Sequence, residues 1–67
     1  MQDNWQKIYS HWLEHKVEIA QAVLREEGIE SVIMDKKDSA YHFGEVELYV
    51  QADNVLQAKQ ILNKESL

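Results

Sequence analysis

The sequence predicts an α+β fold of order β-α-β-β-α, and three patterns lead to it. An amphipathic helical stripe near the start is closed by a glycine, short runs rich in β-branched and aromatic residues flank that helix, and a second helical stripe lies near the end. With 67 residues there is room for one domain, spanning the whole chain with its core between about 5 and 62. No proline and no Gly/Ser-rich linker divides it.

Each element follows in order. Trp5 to Ser10 alternates Trp5, Lys7 and Tyr9 against Gln6, Ile8 and Ser10, and its aromatic and β-branched content predicts a short strand. Ser10 then suits a helix start. From His11 to Glu27, Leu13, Val17, Ala20 and Leu24 recur at helical spacing. Trp12, Ile19 and Val23 widen that stripe, while Glu14, Glu18, Gln21 and Arg25 fall opposite. Trp12 is expected to anchor in the core. Gly28 ends the helix, because the left-handed geometry of a helix end costs glycine least. Ile29 to Asp35 and Glu45 to Val50 predict two further strands, joined by the polar connection Lys36 to Gly44. Asp53 or Asn54 caps the last helix, and with Asn54 as cap Gln57 completes a capping box. Val55, Ala58, Ile61 and Leu62 form its apolar stripe.

A right-handed crossover through the first helix makes strands one and two parallel. Strand three then fits antiparallel between them, with both helices on one face. This is a ferredoxin-like arrangement, a three-stranded sheet under two helices, lacking the fourth strand. The five residues after Leu62 are too few to supply that strand, so strand one is expected at an open edge.

Two helices cover only one face of such a sheet. Alternation assigns Ile8, Val32, Met34, Val46, Leu48 and Val50 to the helix side. The other side receives Trp5, Lys7, Tyr9, Ser31, Ile33, Glu45, Glu47 and Tyr49. Trp5, Tyr9, Ile33 and Tyr49 together form a candidate interaction surface for a partner protein or a second copy, since such apolar patches mark contacts. The competing reading is that Lys7 and Glu47 simply lie over these rings. A one-residue slip would exchange the two faces.

Composition narrows the function. Twelve acidic against seven basic residues give a net charge of −5 and a pI near 5.0, which disfavours nucleic acid. No apolar run is long enough for a membrane span, and the start lacks the pattern of a signal peptide. The absence of cysteine removes disulfides and thiolate chemistry and makes the cytoplasm the expected compartment. No catalytic residue and no cofactor is expected.

Two constellations invite chemistry. His11-Trp12-Leu13-Glu14-His15 has the H-x-x-E-H spacing of inverted zinc peptidases, but a catalytic zinc needs a third ligand and a substrate cleft. Neither is expected in so short a chain, so no metal site is assigned. The connection 36–44 is long for a hairpin and carries Asp38, Ser39, Tyr41, His42 and Phe43 as a candidate small-molecule site. The alternative there is that Tyr41 or Phe43 folds onto the sheet end while the charges solvate the turn.

The run Leu24-Arg25-Glu26-Glu27-Gly28-Ile29 is followed by Ile33-Met34-Asp35-Lys36-Lys37-Asp38-Ser39 and then by Tyr41 to Val50. With Asp53 to Leu62 these runs resemble the small bacterial domain family labelled "putative prokaryotic signal transducing protein", in particular its stand-alone members in Bacteroidetes-type bacteria. The likeness spans Tyr9 to Leu62, and Phe43 to Val50 is its most specific stretch. It implies a signalling role and a fold related to ferredoxin-like nitrogen-regulatory proteins. It carries over no catalytic residue, and the nucleotide-binding segments of those regulators have no counterpart here. Val17 stands where many members have a small residue. The expectation is therefore a non-enzymatic interaction or signal-transduction domain, forming a homodimer through the open face or the edge of strand one. A small-molecule sensor using the loop 36–44 is the alternative.

Overall fold

The computed structural model describes residues 4–36 and 44–67. Its elements run β1 (Trp5–His11), α1 (Glu14–Glu26), β2 (Ser31–Asp35), β3 (Val46–Gln51), a 3-10 turn (Ala52–Asn54) and α2 (Val55–Lys64). The strands form one antiparallel sheet in the order β1-β3-β2, so β3 is central and pairs with both neighbours. Val17, Ala20 and Leu24 of α1, Ala58 and Leu62 of α2, and Val46, Leu48 and Val50 of β3 share a single buried cluster with Ile29. Because alternate residues of β3 are buried and both helices meet that same set, the helices lie on one face. The shortest dimension, 15 Å, is that of one sheet and one helical layer.

The helix ends are set locally. Ile29 N–H donates to the Leu24 carbonyl at 2.9 Å and Gly28 N–H to that of Arg25 at 3.0 Å. This is a Schellman turn with Gly28 at φ +82°. It draws Ile29 into the core at 3% exposure. The same pair of bonds closes α2, from Leu67 to Leu62 and from Ser66 to Asn63, with Ser66 at φ 62°. Nothing lies within 4 Å of a Cβ placed on Gly28, so Gly28→Ala pays only for its left-handed backbone. The expected loss is about 1 kcal/mol in denaturant unfolding. A neutral result would show that this turn does not hold the helix end.

Several expectations are corrected. The first helix starts at Glu14 rather than at His11, because β1 continues through His11 in register with Val46. Ser10 therefore does not cap it. Its hydroxyl donates to Glu45 Oε1 at 2.8 Å, and Leu13 occupies the cap without a side-chain bond. Trp12 precedes the helix and is 62% exposed instead of anchoring the core, and Ile19 is also exposed. The expected capping box is not formed, since the Asn54 side chain makes no capping bond and a 3-10 turn leads into α2.

The face assignment changes most. In β2, Ile33 stands opposite Leu48 and Ser31 opposite Val50, while Val32 and Met34 stand opposite Tyr49 and Glu47. Directly opposed residues share a face, so Ile33 and Ser31 belong to the helix side and Val32 and Met34 to the open side. In β1 the register shifts between Lys7, opposite Tyr49, and Tyr9, opposite Leu48. The extra residue is Ile8, and this bulge turns Tyr9 with it toward the helices. Tyr9 and Ile33 thus leave the expected open-face set and pack against the core.

Candidate functional site

The open face is built from three strands. Trp5 and Lys7 come from β1 before its bulge, Glu47 and Tyr49 from β3, and Val32 and Met34 from β2. Trp5, Val32, Met34 and Tyr49 line a shallow groove of about 240 Å³. Val32 and Met34 are 41% and 46% exposed there. Of the expected surface, Trp5 and Tyr49 lie on this face, whereas Tyr9 and Ile33 do not. Val32 and Met34 were missed because the run Val32-Ile33-Met34 is apolar in either phase. The signal that finds them is Ile29: once the Schellman turn buries it, period-two alternation carries Ser31 and Ile33 inward after it.

Beside the groove sits a charged cluster centred on Glu47. Tyr49 Oη donates to Glu47 Oε1 at 2.7 Å, Lys7 Nζ lies 3.5 Å from Oε2, and Lys36 Nζ lies 3.9 Å from Oε1. The Tyr49 hydrogen bond holds the Glu47 carboxyl below the usual carboxylate range, partial burial opposes this, and the two ammonium groups add to it. The same hydrogen bond raises the Tyr49 hydroxyl, with burial and the Glu47 charge acting in the same direction. Glu47 therefore stays ionised further into acid and Tyr49 stays protonated further into base. Lys7 and Lys36 remain about half exposed and form a cationic rim around a central anion.

The other candidates fare differently. His11 ends β1 and His15 lies in α1, so the two histidines do not occupy one helix as the H-x-x-E-H reading assumed. His11 Nδ1 accepts the Leu13 N–H at 3.0 Å, and its ring stacks between Tyr9 and Trp12 at centroid distances of 6.4 and 6.0 Å. Asp38, Ser39, Tyr41, His42 and Phe43 lie outside the described residues. A second groove, of about 450 Å³, runs along the start of β2 between Gln21, Arg25, Gly28, Ile29, Glu30 and Ser31. Among the described residues, no helix is long and apolar enough to cross a membrane.

Sheet, helices and open face together define a small α+β domain with one layer of helices. Residues 5–66 match the family described as "Putative prokaryotic signal transducing protein", and the chain belongs to that family. No curated protein and no solved structure matches it.

Proposed function

We propose that the chain is a non-enzymatic interaction domain of a bacterial, cytoplasmic signalling system, and that it works by self-association through the open face of its sheet. The observation that carries this reading is the crowding of Trp5, Val32, Met34 and Tyr49 on the side without helices. A domain of this length buries only about 60% of its unfolded surface, so covering the face also stabilises it. The face carries both signs of charge, Lys7 and Lys36 around Glu47, which lets a copy related by two-fold symmetry meet cation with anion. We read the β1-β3-β2 order as a ferredoxin-like unit without its last strand, which favours the same conclusion because such a sheet has one uncovered side. The test is sedimentation equilibrium of the full chain carrying Trp5→Lys and Tyr49→Lys together. With an unchanged circular dichroism spectrum, the dissociation constant of the assembly is expected to rise at least about tenfold. Unaltered association, or a parent chain that stays monomeric at every concentration, refutes the reading.

A further inference from the structure

The groove at the start of β2 lies away from the open face and has a local origin of its own. Gln21 and Arg25 are one helical turn apart and share the flank of α1 that meets β2. The Gln21 side chain is tied there, because its Nε2 donates to the Ser31 carbonyl at 3.2 Å. Gly28 turns the chain at φ +82°, and a Cβ placed on it would meet nothing within 4 Å. The turn therefore walls the groove without filling it. Its volume of about 450 Å³ is in the range of small-molecule sites.

Three side chains lining this groove carry polar groups that the fold leaves unused. Arg25 and Glu30 have opposite charges and are both exposed. They form no ion pair with each other, and no other described residue pairs with either side chain. Ser31 lies on the helix side, opposite Val50, and its Oγ is buried with no hydrogen-bond partner among the described residues. A buried hydroxyl without a partner destabilises a fold, and opposite charges held apart along one groove are complementary to a molecule that carries both. The surroundings narrow that molecule further. Glu26 and Glu27 adjoin the groove in sequence and α1 ends there, so the helix dipole adds negative potential. A simple anion is disfavoured by these groups, and a simple cation is disfavoured by Arg25.

We infer that this groove binds a free α-amino acid as its zwitterion, with the carboxylate held by the Arg25 guanidinium and the ammonium by the Glu30 carboxylate. The planar guanidinium matches a carboxylate through two parallel hydrogen bonds. The ammonium is favoured by Glu30 and by the C-terminal end of α1 alike. Ser31 adds a hydroxyl able to donate to the carboxylate or accept from the ammonium, which gives its oxygen the partner it lacks in the free chain. None of these residues belongs to the open face. The site therefore stands apart from self-association there, and it gives a signalling domain an input separate from its contact surface.

The test is titration of the full chain with the common α-amino acids, one at a time, followed by amide NMR shifts and by calorimetry. At least one is expected to bind with a dissociation constant below about 1 mM, shifting the amides of residues 25–31 more than those of β1. Its methyl ester, which lacks the carboxylate, and its N-acetyl derivative, which lacks the ammonium, should each bind at least about tenfold more weakly. Arg25→Gln and Glu30→Gln, both at exposed positions, are each expected to weaken binding of the amino acid about tenfold. The two variants also separate the two contacts: Arg25→Gln loses the discrimination against the ester, and Glu30→Gln loses that against the N-acetyl compound. Ser31→Ala is expected to weaken binding about fivefold without lowering the stability of the free chain, since the hydroxyl it removes has no partner there. No shift with any amino acid at about ten times that dissociation constant would overturn the proposal. So would ester or N-acetyl derivatives that bind as well as the parent compound, or binding unchanged in Arg25→Gln or in Glu30→Gln.

Discussion

Leu48→Ala is expected to lower stability by about 3 kcal/mol, with the transition followed by chemical and thermal denaturation. Leu48 is fully buried in the central strand, and both helices pack on that strand. Replacing its isobutyl group by a methyl leaves a cavity bounded by the sheet and by both helices, none of which can move in without breaking other contacts. A chain of 67 residues has on the order of 3–10 kcal/mol of stability in all. The midpoint should therefore fall by on the order of 15 °C, and the variant is close to unfolding at room temperature. A loss below about 1 kcal/mol would mean that the two layers are not packed against β3 as described.

The second large effect comes from a pair of adjacent residues. Ile33→Asn is expected to cost about 3 kcal/mol, because it removes an apolar side chain packed on the core and leaves an amide there without partners. Val32→Asn, one residue earlier on the open face, should cost less than about 1 kcal/mol, mostly through lost strand preference. Denaturant midpoints of the two variants measured side by side decide the matter. If the register were slipped by one residue the order would reverse, which makes this the sharpest check on which side chains the open face presents.

The two slips of face have separate physical origins. In β2 three apolar residues in a row leave alternation ambiguous, and counting hydrophobic residues favours the wrong phase, since Val32 and Met34 outnumber Ile33. The Schellman turn wins because it fixes Ile29 in the core before the strand begins. In β1 a bulge adds a residue that no local pattern announces, and it turns Tyr9 from the open side to the helix side. The start of α1 moved for a similar reason. Residues up to His11 are held by pairing with β3, a partner 35 positions away, and strand pairing overrides the weak preference of Ser10 for a helix cap.

Local residue patterns carried the kinds and order of the strands and main helices, the glycine that stops α1, the buried positions Val17, Ala20, Leu24, Ala58 and Leu62 of the helices and the alternation of β3. These depend on neighbours within a few residues, where side-chain period and backbone preference act directly. The sequence also carried the family, through runs of residues that need no coordinates to be recognised. Tertiary packing drew Ile29 into the core and so selected the phase of β2, and strand pairing decided where β1 bulges, and hence that Trp5, Val32, Met34 and Tyr49 make up the open face. Those outcomes are set by pairing between strands far apart in the chain, where a shift of one residue moves every side chain to the opposite face.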